Sequence, residues 1–284
     1  MAHFGAHMST AGGFDRAARH AHSIGADAMQ VFTRNPRGGK ARALTDAELA
    51  RLAQARAAGL DIVCHAPYTI NLASGDPDVR AFGVRTLAED LRRMTQLGAR
   101  ALVVHSGAHT GAGVEAGCER LLQSLEVLLP QVAPGTRLLL ESMSGQGSEL
   151  GSTLEGLAGI LDHFDHSPAL GICLDTCHLF AAGYDVRDWA AFKTQFTALL
   201  PWSVVGCIHM NDSKTPLASH RDRHERLGAG AIGWQAFYDI VRAECQTALP
   251  LILETPNDLS GWQEELRALR ASLDRASAFQ NPSS

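Results

Sequence analysis

Short apolar runs recur along the chain, and each is followed by a loop and then by a segment with helical spacing. Eight runs of this kind occur: HFGAH (3–7), ADAMQVF (26–32), DIVCH (61–65), ALVVH (101–105), RLLLE (137–141), LGICLD (170–175), VVGCIH (204–209) and PLILE (250–254). In the intervening segments 45–59, 79–98, 113–130 and 261–274, apolar residues recur every three or four positions. The first two end at a glycine suited to a helix C-terminus. The pattern predicts β-strands that alternate with α-helices.

The arrangement of these elements indicates the fold class. Strands that are apolar throughout are typical of a parallel sheet covered by helices on both faces. Eight strand–helix units in a chain of this length predict an α/β fold, a closed (β/α)8 TIM barrel. An open doubly wound sheet is the alternative, but no GxGxxG motif follows the first strand. Since no linker divides the chain, we predict a single domain over 1–277 and a disordered tail over 278–284.

Composition narrows the class of protein. With 284 residues, of which 45% are hydrophobic, the chain can bury a large core. The six cysteines include no CxxC pair and several lie in apolar runs, which favours buried free thiols in a reducing compartment. Because no signal peptide and no membrane-length apolar run is found, we expect a soluble cytoplasmic protein with no membrane partner. No apolar stripe demands a protein partner, so a monomer is expected.

Polar residues stand at the ends of six consecutive apolar runs. From the third run onward, the terminal residues are His65, His105, Glu141, Asp175, His209 and Glu254. In a parallel barrel these ends share one rim, which is where active sites are built. A single histidine there is explained by an ordinary hydrogen bond. Three carboxylates and three imidazoles packed together would lack sufficient partners, and divalent cations resolve that problem.

Loop residues enlarge this set to nine. His178 follows Asp175 by one helical turn, and Asp222 and His224 would face the same way in extended backbone. Five histidines and four carboxylates, without cysteine, suit zinc or manganese. Nine residues are too many for one ion and fit two or three. Clustered cations of this kind are typical of phosphoryl-ester hydrolysis.

Seven segments carry a resemblance to a known family: GAHMSTAGG (5–13), FTRNPR (32–37), HAPYTINLASG (65–75), ESMSGQGSELGS (141–152), GICLDTCHLFAAGYD (171–185), HMNDSKTPLASHRDRHERLGAGAIG (209–233) and LILETP (251–256). They resemble the endonuclease IV family of apurinic/apyrimidinic (AP) endonucleases over nearly the whole chain. The resemblance implies a zinc-dependent enzyme that cuts double-stranded DNA on the 5′ side of an abasic site. The products would be a 3′-hydroxyl and a 5′-deoxyribose phosphate.

The resemblance also implies roles for individual residues. Three zinc ions would be bound by three sets: His65, His105 and Glu141; Glu141, Asp175, His209 and Glu254; and His178, Asp222 and His224. Whether manganese replaces zinc at one of the three positions is not determined by the sequence. Glu141, bridging two ions, would be the catalytic residue that orients the nucleophile. Arg37 and Tyr68 would contact the damaged DNA. Ser106, where family members usually have proline, puts the rigidity of its loop in doubt.

Other residues leave alternatives open. His7 ends the first run and would either contact substrate or support the site, or be purely structural. Cys177 could be a ligand, but its neighbours already provide one. Two loops of the catalytic rim are basic despite the net charge of −5, and they contain Arg34, Arg37, Lys40 and Arg42, and Lys214, Arg221, Arg223 and Arg226. They are either a DNA-binding surface or solvated charges.

A sugar isomerase or epimerase is the main alternative function. Such enzymes resemble this architecture and place metal ligands at strand ends, but they need only one or two ions. His178, Asp222 and His224 would then have no task. A non-catalytic zinc-storage or DNA-binding protein is a more distant alternative.

Overall fold

The apolar runs form eight parallel strands that close into a barrel. The structure is a computed structural model that describes residues 2–37 and 39–280, with the backbone only for 274–280. The strands are β1 (His3–His7), β2 (Ala28–Phe32), β3 (Asp61–His65), β4 (Ala101–His105), β5 (Arg137–Glu141), β6 (Leu170–Asp175), β7 (Val205–Met210), β8 (Asp212–Ser213), β9 (His224–Glu225) and β10 (Pro250–Leu253). The barrel order is β1-β10-β7-β6-β5-β4-β3-β2, and β8 and β9 form a separate antiparallel pair in the loop after β7. The predicted TIM barrel is confirmed.

Helices cover the outside of the barrel. They are α1 (Phe14–Ser23), α2 (Asp46–Ala57), α3 (Pro77–Leu97), α4 (Val114–Leu128), α5 (Leu154–His163), α6 (Thr176–Ala182), α7 (Trp189–Thr197), α8 (Trp234–Glu244) and α9 (Leu259–Gln280). The first part of the predicted tail, 278–280, lies within α9, and 281–284 lie outside the described residues. The disordered tail and the domain limit at 277 therefore stay predictions.

The long helix on the β3–β4 crossover shows how local sequence sets its bounds. At the start of α3, the Asp76 carboxylate accepts hydrogen bonds from the backbone N–H groups of Asp78 and Val79, and Pro77 occupies the first turn. At its end, Gly98 adopts a left-handed conformation with φ of 68°. Glycine tolerates that conformation because it lacks a Cβ, so the helix stops there.

The core has two parts separated by the barrel wall. One lies between the strands and the helices; the other fills the barrel interior and consists of Ala28, Val63, Ala101, Val103, Leu139, Cys173, Cys207 and Ile252. Side chains along a strand alternate between the two sides, so a residue two positions beyond an interior one also faces inward. Each of the six predicted strand-end residues follows an interior residue by two positions. These interior residues are Val63, Val103, Leu139, Cys173, Cys207 and Ile252. The hydrophobic pattern itself therefore aims these six side chains at one point.

The cysteines agree with the prediction from their spacing. All six are free, and Cys64, Cys173, Cys177 and Cys207 are buried. Among the described residues, no helix combines the length and the apolar character needed to span a bilayer.

Barrel closure at the first strand depends on a residue without a side chain. Gly5 of β1 pairs with Ala28 of β2 and with Ile252 of β10. A Cβ built on Gly5 would overlap the backbone carbonyl group of Ala28. Any larger residue would therefore push β1 and β2 apart.

We expect Gly5→Ala to destabilise the protein by about 1–3 kcal/mol, the usual cost of overpacking a close-packed interior. Urea unfolding followed by circular dichroism measures the change. The matched control is Gly159→Ala, since Gly159 lies within α5 with open space around its Cβ position. That variant should gain up to about 1 kcal/mol from helix propensity. Equal stability of the two variants would contradict the close approach at Gly5.

Candidate metal centre

The nine candidate ligands converge at the carboxyl end of the barrel. Three groups place their ligand atoms within 4.8 Å of one another: His65, His105 and Glu141; Glu141, Asp175, His209 and Glu254; and His178, Asp222 and His224. These groups coincide with the three sets that the family resemblance implied. His65, His105, Glu141 and Asp175 end their strands, while His209 lies one residue before the end of β7 and Glu254 one residue after the end of β10. His178 lies in the first turn of α6, and the other two residues lie on or beside β9.

Glu141 is the carboxylate that joins the first two groups. It is 1% exposed, and its Oε2 lies 3.1 Å from Nε2 of His65 and 3.5 Å from Nε2 of His105. Its Oε1 lies 3.2 Å from Nδ1 of His209 and 3.3 Å from Nδ1 of His178. Each carboxylate oxygen thus faces a different pair of imidazoles, which is the geometry required of a bridging ligand.

The third group leaves ring nitrogens without hydrogen bonds. The Nε2 atoms of His178 and His224 each lie 3.3 Å from an oxygen of Asp222. Both nitrogens are buried, and neither makes a hydrogen bond. Buried polar atoms of this kind are rare unless an unseen partner satisfies them. Imidazole nitrogens and carboxylate oxygens are the donors that zinc accepts, so the residues present fit such a cation.

Opposite charges set the protonation states of the centre. Burial alone would raise the pKa of Glu141, but His209, His105 and His178 outweigh it and hold that pKa well below its usual value. Burial alone would lower the pKa of His178, but Asp175, Asp222 and Glu141 raise it well above its usual value.

His209 and His105 respond to burial in opposite ways. Glu254 and Glu141 overcome desolvation and raise the pKa of His209 well above its usual value. Burial dominates at His105 and lowers its pKa to about 4.

Cys177 is a poor candidate ligand. Its sulfur lies near Asp175 and His224 in a further group that could hold a cation. Burial, reinforced by the Asp175 carboxylate, raises the pKa of the Cys177 thiol to about 12. Since the thiolate is the form that binds metal, a protonated thiol contributes little.

Hydrogen bonds from residues outside the nine hold the candidate ligands in place. Nδ2 of Asn211 donates to Asp175 at 2.7 Å, while Oδ1 of Asn211 accepts from the backbone N–H of Glu254 at 3.0 Å. The Ser142 carbonyl accepts from Nδ1 of His178 at 2.9 Å. Asn211 and Ser142 were not predicted, although each follows a predicted strand-end residue by one or two positions.

His7 and Gln30 lie behind Glu254. Nδ1 of His7 is 2.8 Å from Oε1 of Glu254, so His7 contacts a candidate ligand, and its supporting role stays a prediction. Gln30, which sequence reasoning missed, is fully buried and contacts both Glu254 and His209. The signal for Gln30 was a lone polar residue within the apolar run 26–32.

Ser106 makes a hydrogen bond that a proline at this position could not make. Its buried hydroxyl donates to the backbone carbonyl of Glu141 at 3.0 Å. The bond ties the end of β4 to the end of β5.

A groove of about 1090 Å³ lies beside the centre, and its wall includes His7, Phe32, Lys40, Tyr68 and Glu254. Tyr68 is 54% exposed, with its ring edge-on to the ring of Phe32 and the two ring centres 5.2 Å apart. Arg37 is exposed on the loop after β2. Both residues stand where a bound polymer could contact them, and their role in DNA binding stays a prediction.

One arginine of the predicted basic surface is largely buried and paired with carboxylates of α3. Arg34 is 7% exposed, and its Nε and Nη2 donate to Oδ1 of buried Asp90 at 2.8 and 2.7 Å. Nη2 also lies 3.0 Å from Glu89. Arg34 therefore anchors the loop to α3, and although it also lines the groove, its guanidinium group is already paired with these carboxylates.

The other basic residues of the two rim loops differ in availability. Arg42 pairs with Glu48, whereas Arg37 and Lys40 are exposed. In the loop after β7, Lys214, Arg221, Arg223 and Arg226 lie at least partly open to solvent, as the sequence suggested.

Comparisons with known proteins place the chain among barrels of one kind. A family model described as "Xylose isomerase-like TIM barrel" matches residues 18–272. The chain is 44% identical to "Probable endonuclease 4" of Akkermansia muciniphila over 274 residues, which cover 95% of this chain and 98% of that protein. The crystal structure of endonuclease IV from Thermus thermophilus superposes with a TM-score of 0.84 at 32% identity, covering 96% of this chain and 99% of that one.

The alternative function also has a structural counterpart. A D-tagatose 3-epimerase-like protein superposes with a TM-score of 0.72 at 20% identity, covering 96% of this chain and 99% of that one. Identity at that level shows a shared fold and nothing more.

We expect Arg34→Met to destabilise the protein by about 3 kcal/mol, because it leaves the buried Asp90 carboxylate without its main partner. Urea unfolding measures the loss. Arg37→Met, on the same loop but exposed, is the control and should change stability by no more than about 0.5 kcal/mol. A similar loss in both variants would show that Arg34 is not the anchor.

Zinc binding should release protons at pH 7. His178 and His209, whose pKa values are raised, are protonated in the metal-free protein, and a ligating imidazole must be neutral. We therefore expect about two protons per chain to be released, and zinc affinity to fall as the pH is lowered. Titration of metal-free protein with Zn²⁺ in weak buffer with a pH indicator measures this, with zinc added to buffer alone as the control. No net release would contradict the assigned protonation states.

Proposed function

The chain belongs to the endonuclease IV family and is an AP endonuclease of DNA repair; on that premise we propose a zinc-dependent reaction and a specific cleavage position. The substrate is double-stranded DNA containing an abasic site. Hydrolysis of the phosphodiester 5′ to that site leaves a 3′-hydroxyl and a 5′-deoxyribose phosphate. Three Zn²⁺ ions per chain serve the reaction, with Mn²⁺ an alternative at one position.

The arrangement of three adjacent donor groups supports this proposal most directly. A sugar epimerase with one or two ions would account for the groups around Glu141 but not for His178, Asp222 and His224. Those three residues complete a separate group in which two buried ring nitrogens have no hydrogen-bond partners. A third cation gives these buried atoms a partner.

The charges of the centre suit an anionic substrate. Glu141, Asp175, Asp222 and Glu254 together carry −4, and three divalent cations carry +6. The sum is a pocket that is positive by about two charges, which attracts a phosphodiester. Bound cations lower the pKa of water towards ~7 and stabilise charge on a departing oxygen.

Residues of the chain supply the orientation. Glu141 places one oxygen towards each of two groups, and Ser106 holds the Glu141 backbone through its carbonyl. Glu141 is the catalytic residue of the proposal, because its carboxylate belongs to two of the donor groups and would orient the attacking water between them.

The groove provides the surface for DNA. Tyr68, exposed at its wall and supported by Phe32, offers an aromatic face to an unstacked base or sugar. Arg37 and Lys40 offer exposed positive charge to the backbone. An abasic nucleotide loses little stacking when it leaves the duplex, which favours its selection. No obligatory protein partner is needed for this, and we propose that a monomer acts.

We expect the protein to nick an abasic duplex, to leave the intact duplex uncut, and to lose activity on chelation. Glu141→Gln should retain its fold. Its incision rate should fall by far more than about 100-fold, which is the cost of losing a hydrogen bond that supports a metal ligand. Gel analysis of labelled oligonucleotides measures incision, and elemental analysis of the same samples measures metal content.

The control for charge removal is Glu155→Gln, because Glu155 is exposed on α5 and is not one of the nine candidate ligands. It should incise at the wild-type rate. Any one of three outcomes would refute the proposal: near-normal incision by Glu141→Gln, persistent incision by metal-free protein, or turnover of a ketose in place of DNA.

A further inference from the structure

Gln30 is a polar side chain inside the barrel wall. It lies in the middle of β2, two positions after Ala28, and therefore faces the barrel interior. Its side chain is fully buried. A buried amide is costly unless both of its ends are hydrogen-bonded, so its partners indicate what it does.

The two ends of the amide face two different candidate ligands. Nε2 of Gln30 donates to Oε1 of Glu254 at 2.6 Å, and lies 3.0 Å from Nδ1 of His7. Oε1 of Gln30 lies 2.8 Å from Nε2 of His209. The three partners come from β1, β7 and the end of β10, so one side chain links several strands across the interior.

The chemistry of Glu254 fixes the direction of this network. An ionised carboxylate only accepts hydrogen bonds, so the amide NH₂ must face Glu254 and the amide oxygen must face His209. An amide oxygen only accepts, so Nε2 of His209 must carry a proton and donate it. The remaining nitrogen, Nδ1, lies 3.2 Å from Glu141 and 3.3 Å from Glu254 in the centre.

Glu254 is oriented in the same way. Its Oε1 is occupied by Gln30 and His7, and its Oε2 is the oxygen that faces Nδ1 of His209. By bonding to the other side of each ligand, Gln30 leaves the lone pair of Nδ1 of His209 and a lone pair of Oε2 of Glu254 facing the centre. Ligating histidines almost always donate their other N–H to such a partner, which fixes the tautomer and the ring orientation.

We propose that Gln30 is a positioning residue that fixes the His209 tautomer and the Glu254 carboxylate, and so sets the affinity of the cation position they share. This inference rests on the proposed function in one respect, that the centre binds zinc. It assigns Gln30 no contact with DNA.

The test compares Gln30→Met with wild type. Methionine has nearly the same length and volume, so it fills the space but removes the hydrogen bonds to both ligands. We expect zinc at one of the three positions to bind about 10–100-fold more weakly, with the other two little changed. Competition with a chelator of known affinity measures zinc binding, and circular dichroism checks the fold. The control is Gln235→Met, since Gln235 is exposed on α8 and its side chain bonds to Asp239 on the same helix.

A second measurement on the wild-type protein does not depend on any variant. In zinc-loaded protein labelled with ¹⁵N-histidine, correlation spectra should show His209 protonated at Nε2 and bound through Nδ1. The Nε2 proton should exchange slowly, and its signal should be absent or fast-exchanging in Gln30→Met. Protonation of His209 at Nδ1 overturns the proposal, as does unchanged zinc affinity in folded Gln30→Met.

These outcomes separate the inference from the proposed function. If the wild-type protein binds zinc but does not incise abasic DNA, the proposed function is refuted. The zinc affinities of wild type and Gln30→Met then still decide the role of Gln30. Wild type that incises, with equal zinc affinity in the two proteins, refutes the role of Gln30 alone. A wild type that takes up no zinc overturns both.

Discussion

The attraction between four carboxylates and five imidazoles at one end of the barrel is the interaction on which the site depends. Glu141 is almost entirely buried and lies within 3.5 Å of four histidine side chains. Burial alone would force that carboxyl to take up a proton, yet its neighbours keep it ionised. His178 and His209 are in turn kept protonated by the carboxylates, so neither set of groups keeps its charge without the other. Cations that replace these protons would supply the positive charge in their place, which explains how the same side chains suit both states.

The barrel produces this arrangement because the same alternation of side chains occurs on six of its strands. An apolar residue faces the interior, and the residue two positions later faces the same way at the mouth. Closure of the sheet then brings side chains as distant in sequence as His65 and Glu254 to one place. Val63 and Val103 fill the interior beneath His65 and His105, so packing fixes the strands while the polar ends remain free for chemistry. The strand-end part of the site is therefore held in place by the packing of the core.

The sequence was sufficient to predict the features that follow from the alternation of side chains along a strand. The apolar runs located the barrel strands, with β2 beginning two residues later and β7 one residue later than their predicted runs. The polar ends of those runs located the candidate ligands. What sequence could not show depends on contacts between distant residues. Gln30 meets His209 and Glu254 at separations of 179 and 224 positions, and a single polar residue in an apolar run does not identify such partners. The strands β8 and β9, two residues each, are too short to have a periodicity.

Arg34 shows why charge in a loop is a weaker guide than charge at a strand end. Strand-end residues are placed by the backbone, whereas the direction of a loop side chain depends on what lies beneath it. Asp90, fully buried on α3, would be a costly isolated charge, and Arg34 is the cation that compensates it. Because Arg34 is held there, Arg37 and Lys40 remain exposed beside the groove on a loop attached to the helix layer. A loop fixed in this way would lose less entropy if a ligand ordered its exposed side chains.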